Sequence, residues 1–331
     1  MTAPALPREL QLEVTGACNL RCQMCLVRYR EPLDRRQASL GFERFKALVD
    51  ALPDLDTVTL QGLGEPLMAP DLFRMLEYGA ARGLRMGFNT NATLLTRALA
   101  ERLVDARLEW LHVSLDGATA ATYESIRDGS NFEKVGRNVR GLVEVMRARN
   151  AERPRLSLVF VAMRRNLAEL PDLVRLAAAW GIPTLRVQNL SHSFSDTDPA
   201  GDYREIREFA EREALWRSPS AADAARLEEA RTVAGSLGVA LRLPHLEAAA
   251  PVRRDGRGCD WPWRSAYVRH DGKVQPCCMV MGGDRALLGD LAAESFPAIW
   301  RGPAYEAFRA ALTTDSPPDV CSGCSMYRGV F

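Results

Sequence analysis

The sequence predicts an α/β protein built on a parallel sheet, and two observations carry that prediction. Short runs rich in β-branched and apolar residues recur six times in the first 190 residues. Between them lie longer segments with apolar residues at helical spacing, closed by turn residues such as Gly83 and Gly181. Strands alternating with helical patterns are βα units, and units of that kind place successive strands side by side and parallel.

The elements follow in order. Leu10–Val14 alternates and reads as the first strand. A cysteine-bearing loop follows it, and residues 26–38 are polar and irregular, a wrapping segment that shields the loop from water. Phe42, Phe45, Leu48, Val49 and Leu52 have helical spacing. Thr57–Gln61 is a second strand running into Gly62-Leu63-Gly64-Glu65-Pro66. Pro70-Asp71 opens a helix over 72–82 that Gly83 ends. Arg85–Asn89 is the third strand, followed by a turn and a helix over 97–105. Trp110–Leu115 is the fourth, ending at Asp116-Gly117, and Thr119 caps a short helix through Ile126. A long helix spans 132–149, the fifth strand 156–161, its helix 167–180, and the sixth strand 185–189. Residues 191–203 are polar and turn-rich, a loop over the substrate opening. Helical patterns run over 204–216 and 221–235, and Val239–Leu243 reads as a strand. Residues 244–257 have linker composition, and the 74 residues after them hold five cysteines. The expected division is therefore a large domain over 1–243 and a small cysteine-rich module over 244–331. By pattern alone the large domain is either a barrel or a doubly wound open sheet. In both, functional residues belong at the C-terminal ends of the strands.

Composition narrows the class. The chain has 331 residues, 47% hydrophobic and 26% charged, with a net charge of +1. Near-zero net charge gives no electrostatic footprint for nucleic acid or a membrane surface. No apolar run approaches the length of a membrane span, and the N-terminus lacks a signal-peptide pattern, so a cytoplasmic location is expected. In a reducing compartment eight cysteines are metal ligands more often than disulfides.

Three of those cysteines stand close together, Cys18, Cys22 and Cys25, at x3 and x2 spacing directly after the first strand. Such thiolates hold an iron–sulfur cluster or a zinc ion. A structural zinc site closes with four ligands, and the next cysteine is Cys259. Three ligands leave a coordination position open for something that reacts. The pattern resembles the signature of the radical S-adenosylmethionine (SAM) enzymes, with Met24 at a position usually aromatic there. The resemblance implies a partial (β/α)6 TIM-type barrel and a [4Fe–4S] cluster whose free iron chelates SAM. In that family an electron from the cluster splits SAM, and the resulting 5′-deoxyadenosyl radical takes a hydrogen atom from carbon. Leu63-Gly64-Glu65-Pro66 is similar to the family's GGEP segment, which binds the amino group of SAM, and departs from it at Leu63. Gly62, Gly64 and Glu65 are the corresponding candidates. Ser114 and Asp116 resemble the ribose-contacting strand end. Asn89 and Gln188 are further cofactor candidates, and Met24 would pack on the adenine.

The C-terminal cysteines form a second set. Asp271-Gly272 between Tyr267-Val268 and Lys273-Val274 is a hairpin signal that brings Cys259 and Cys277 together. Cys321 and Cys324 form a CxxC turn. These four would close a second [4Fe–4S] cluster, or a structural zinc site. They resemble the auxiliary-cluster module of radical SAM enzymes in its short "twitch" form; the longer SPASM form needs about seven cysteines. Cys277 is taken as the ligand, which leaves Cys278 as a buried small residue or as a thiol that returns a hydrogen atom to a substrate radical. Among the four histidines, His192 in the loop after the sixth strand is the one expected near substrate.

The expected function is hydrogen abstraction from a sugar or aminocyclitol of natural-product biosynthesis, ending in dehydrogenation or epimerisation. The family implies a flavodoxin or ferredoxin as electron donor. A peptide substrate is the alternative, disfavoured by the first strand's starting near Leu10. A metal-binding scaffold without radical chemistry is the alternative of another class.

Overall fold

The structure is a computed structural model that describes residues 4–247 and 259–331. Among the described residues ten strands form one sheet: β1 (Glu9–Leu12), β2 (Thr57–Thr59), β3 (Arg85–Thr90), β4 (Trp110–Ser114), β5 (Arg155–Ala162), β6 (Thr184–Asn189), β7 (Ala240–Arg242), β8 (Ser265–Val268), β9 (Lys273–Gln275) and β10 (Gly289–Asp290). Their order is β10-β9-β8-β1-β2-β3-β4-β5-β6-β7. Every pairing from β8 through β7 is parallel, and only the β8–β9 and β9–β10 pairings are antiparallel. A curved parallel sheet wound in chain order, helices outside, is the partial barrel expected.

The helices begin and end where local chemistry dictates. The Thr96, Thr119 and Asn131 side chains accept amide N–H bonds at the N-termini of the helices Arg97–Asp105, Ala120–Ile126 and Phe132–Ala148. Gly181 and Gly238 close the helices Leu170–Trp180 and Ala221–Leu237 in the left-handed conformation. The helix expected from residue 167 starts as a 3-10 turn, Leu167–Glu169, because Pro171 fits only the first turn of the α-helix that follows.

Alternation along each strand divides the sheet into two faces. Leu10, Leu12, Val58, Phe88, Leu111, Val113, Leu158, Phe160, Leu185 and Val187 point outward into one core under the helices. The other face is polar. Gln11, Glu13, Thr59, Asn89, His112, Arg186 and Gln188 line the lumen, where a closed TIM barrel carries layers of branched apolar side chains. A lumen so lined is a chamber and not a packed core.

The C-terminal cysteine module is built onto the sheet. The Asp271-Gly272 turn joins β8 and β9, with Gly272 at φ +90, and β8 pairs with β1 from Glu9↔Ser265 to Leu12↔Val268. Most of the 244–257 linker lies outside the described residues. Ser191 of the loop over 191–203 lines the chamber and Ala200–Tyr203 line a 680 Å3 cavity that adjoins it. The loop also ties the barrel to the module: Ser193 N–H donates to Gly323 O (2.8 Å), Ser325 N–H to Ser191 O (3.0 Å), and Asp196 pairs with Arg285 (2.6 Å). No helix among the described residues is long and apolar enough to cross a membrane.

Candidate active site at the mouth of the barrel

The cysteine loop follows β1 and is held by backbone bonds to three neighbours. Gly16 N–H donates to Ala38 O (2.7 Å), Arg21 N–H to Asp128 O (3.0 Å), and Glu65 N–H to Ala17 O (2.9 Å). Cys18, Cys22 and Cys25 line a cavity of 180 Å3 with Met24, Gly62, Gly64, Glu65, Asn89, Asn91, Ser114 and Arg127. Thus six of the eight cofactor candidates named from sequence, Met24, Gly62, Gly64, Glu65, Asn89 and Ser114, line this cavity.

Gly64 is glycine because of the cysteine loop itself. A Cβ there would overlap the carbonyl oxygens of Thr15 and Ala17, and one at Gly62 would strike the Glu13 side chain. The requirement is close backbone packing of one loop on the other. Glu65 is 3% exposed. It accepts from Thr90 Oγ1 (2.7 Å), Asn91 N–H (2.7 Å) and Leu67 N–H (3.1 Å), and burial raises its pKa.

Two expectations need correction. Asp116 does not face the cavity. It is fully buried, accepts Val161 N–H (2.8 Å) and pairs with Arg127 (2.7 Å), so it orients Arg127. Gln188 lines a second cavity instead.

Arg127 was not singled out from sequence, where Ser-Ile-Arg-Asp-Gly carries no signal. Its guanidinium donates to Cys22 Sγ (3.8 Å). Burial works against its charge, but Asp116 and Cys22 hold it in place and raise its pKa. Burial also pushes Cys18 to about 11 and Cys22 to about 12, and raises Cys25. Thiols so buried ionise when a positively charged centre binds them. Three soft donors around a cavity, with a cation behind them, fit an iron–sulfur cluster with one open corner.

The second cavity, of 410 Å3, shares Gln61, Gly62, Leu63 and Asn89 with the first. It lies between the lumen and the C-terminal module, and Cys278, Tyr267 and Gln275 form part of its wall. Glu13 on this wall bonds His270 Nδ1 (2.6 Å), Leu63 N–H (2.9 Å) and the Tyr267 hydroxyl. Burial would raise the Glu13 pKa, yet His270, the Leu63 N–H and Arg30 hold it below the ordinary carboxylate value. His112 is the histidine on the chamber wall, His270 reaches that wall only through Glu13, and His192 does not line it. His192 is 2% exposed, its Nε2 2.6 Å from Val320 O and its Nδ1 accepting from Phe194 N–H (2.8 Å). It clamps the 191–203 loop to the cysteine module.

Cys259, Cys277, Cys321 and Cys324 pack together around Met279, Val280, Phe308 and Leu312. Burial raises the Cys277 pKa, and the other four module thiols add to the shift. Cys277 does not reach the 410 Å3 cavity and Cys278 does. Four thiols in an apolar pocket fit a closed cluster.

Comparisons with known proteins agree with this geometry. The model of the Radical SAM superfamily matches residues 12–177, and that of an iron–sulfur cluster-binding domain, SPASM, matches residues 259–325. The chain is 24% identical over 337 residues to the tungsten-containing aldehyde ferredoxin oxidoreductase cofactor-modifying protein of Pyrococcus furiosus, covering 96% of this chain and 87% of that protein. It is 27% identical over 334 residues to the AdoMet-dependent heme synthase of Methanosarcina barkeri, covering 96% and 88%. It is 31% identical over 194 residues to the mycofactocin maturase MftC of Mycobacterium tuberculosis, covering 58% of this chain and 47% of that one. Among solved structures, Streptococcus suis SuiB bound to S-adenosylmethionine superposes with TM-score 0.70 at 19% identity, covering 98% of this chain and 72% of that one. With three thiols at the mouth of a partial barrel and five more in a matched cluster-binding module, this chain belongs to the radical SAM superfamily, and its cofactors are SAM and [4Fe–4S] clusters.

Proposed function

We propose that this enzyme removes a carbon-bound hydrogen from a small polar molecule held in the 410 Å3 chamber, leading to dehydrogenation or epimerisation. The observation that carries the reading is that one chamber, whose wall holds the amides of Gln11, Gln61, Asn89, Gln188 and Gln275 together with charged side chains, shares residues with the first thiol cavity and reaches Cys278 of the second set. A sugar or aminocyclitol intermediate matches such a lining. Relatives named for heme synthesis and for cofactor modification, similar over nearly the whole chain, support a substrate of cofactor size.

The proposed roles follow from position. Cys18, Cys22 and Cys25 would hold the first cluster, and Glu65, Asn89, Ser114 and Met24 would hold SAM beside it. Cys259, Cys277, Cys321 and Cys324 would hold the second cluster. Loaded this way, the cofactors supply a carbon radical that takes the hydrogen and an acceptor for the electron left behind. Arg127 stabilises the negative charge of the thiolates. Glu13, kept ionised by His270 and Leu63, accepts the proton released on dehydrogenation. Cys278, on the chamber wall, would return a hydrogen atom when the outcome is an epimer, its thiyl radical then taking an electron from the second cluster and a proton from solvent.

A second reading, a peptide substrate, is supported by a vestibule of 680 Å3 that shares Arg30, Gly282 and Gly283 with the chamber. The test separates the two. The anaerobic enzyme with SAM and dithionite is offered sugars, aminocyclitols and short peptides in heavy water. Faster 5′-deoxyadenosine formation with a sugar-like compound is expected. Deuterium gained at carbon would mark epimerisation, and its loss in Cys278→Ala would mark the donor. Acceleration by peptides alone overturns the small-molecule reading.

A further inference from the structure

We propose that Arg186, with Arg242 beside it, anchors an anionic group of the substrate, a carboxylate or a phosphate, on the floor of the barrel lumen. This rests on the reading of the 410 Å3 cavity as the substrate chamber and narrows what that chamber accepts.

The register puts the two arginines together. In the sheet Val159 pairs with Arg186 and Arg186 with Arg242, so the two lie side by side on adjacent parallel strands. On β6, Leu185 and Val187 enter the outer core while Thr184, Arg186 and Gln188 face inward. Arg186 is half-buried, Arg242 exposed.

Arg186 also marks a boundary. With Trp110 and His112 it lines both the 410 Å3 chamber and a 1030 Å3 cavity at the opposite, N-terminal end of the strands. The three side chains are the partition between them. Arg242 lines the lower cavity just behind.

The other arginines of the chamber are engaged. Arg269 pairs with Asp271 (3.0 Å), and Arg30 donates to Gly16 O (2.8 Å). Among the described residues no carboxylate lies within ion-pair distance of Arg186 or Arg242. Instead each faces the other's positive charge. Burial and Arg242 lower the Arg186 pKa, and burial with both arginines holds His112 neutral, near 4. Two like charges on neighbouring strands destabilise a sheet, and apolar residues would fill the floor at no such cost. A guanidinium with free donors in a half-buried chamber matches the fork geometry of a carboxylate or phosphate. A substrate anion would answer the charge that the fold leaves open. Positively charged aminocyclitols fit this floor poorly, whereas sugar acids, sugar phosphates or an acidic side chain fit it well.

The test is a calorimetric titration of the reconstituted, SAM-loaded enzyme with inorganic phosphate and with succinate at fixed ionic strength. Saturating SAM keeps the probes out of its own site. One saturable site is expected, weakened about tenfold or more in Arg186→Gln and within about threefold in Arg186→Lys, the scale of a charge-assisted bidentate contact. Preference for phosphate or for succinate identifies which anion the substrate carries. Should Arg186→Gln fail to fold, Arg242→Gln at its exposed position carries the same test with a smaller loss. Undiminished affinity in the folded glutamine variant, or no site for either probe in the parent, overturns the proposal. 5′-Deoxyadenosine formation by the same parent sample is recorded alongside. Its absence would overturn the radical reading while the titration still judges Arg186.

Discussion

The two thiol sets are built from opposite kinds of sequence and stand in similar surroundings. The first places three cysteines within eight residues of one loop. The second gathers cysteines from positions 259 to 324, through a hairpin, an apolar cluster and a terminal turn. Yet each is backed by a buried arginine–aspartate pair. Arg127 and Asp116 lie 2.7 Å apart behind Cys22, and Arg285 and Asp196 lie 2.6 Å apart near Cys321. The difference is in what each set faces: the first opens on a cavity with the residues of a ligand site, the second is packed among Met279, Val280, Phe308 and Leu312. Chemistry belongs where a coordination position is open, and electron storage where it is closed.

Breaking one set at a time tests that division with the largest expected effect. Cys22→Ala should lower 5′-deoxyadenosine formation by about a thousandfold or more, since the cluster and its ligand are lost together. Cys277→Ala should keep that cleavage while losing product formation, as read by chromatography of nucleoside and product in one assay. Equal loss in both variants would erase the distinction.

Arg127 sharpens the comparison at the level of stability. Arg127→Gln leaves the Asp116 carboxylate buried without its partner, at a cost of about 3–5 kcal/mol in denaturant unfolding. Gly64→Ala comes next. Its Cβ meets carbonyl oxygens of Thr15 and Ala17, backbone that cannot turn aside, so about 1–3 kcal/mol is expected together with lost iron at the first set and unchanged iron at the second. The smallest effect concerns His112. Its folded pKa, near 4, lies below the ordinary 6.5. The unfolded chain therefore takes up a proton first as pH falls, and stability is lost between about pH 6.5 and 4. His112→Gln should flatten that acid limb by about 1–2 kcal/mol, allowing for partial exposure. An unchanged pH profile would place His112 in ordinary solvent.

What could be read from sequence follows the same divide. The CxxxCxxC loop, the alternation of strands and helices, the Asp271-Gly272 hairpin and the Thr119 cap are all local signals, each written within a dozen residues. What escaped depends on contacts far apart in the chain. Arg127 matters because Asp116 and Cys22 converge on it. His270, 257 residues from Glu13, reaches it only because β8 pairs with β1. For the same reason the module could be recognised from its cysteines, but not as an extension of the sheet. Asp116 and His192 escape sequence reading in one way: a polar residue at or just after a strand end reads as facing a ligand, while in the fold each is satisfied by a buried protein partner. The polar lumen was present in the alternation of β4 and β6, and only the pairing of both strands with β5 brought Arg186 and His112 to one wall.

The measurement that tests the account most directly is the iron and sulfide content of the anaerobically reconstituted parent, of Cys18/Cys22/Cys25→Ala and of Cys277/Cys321/Cys324→Ala, with 5′-deoxyadenosine assayed in each. The account predicts about eight irons in the parent and about four in each variant, with nucleoside formed by the parent and by the second variant alone. Nucleoside from the variant lacking the first three thiols, or a parent that takes up zinc and cleaves no SAM, would contradict it.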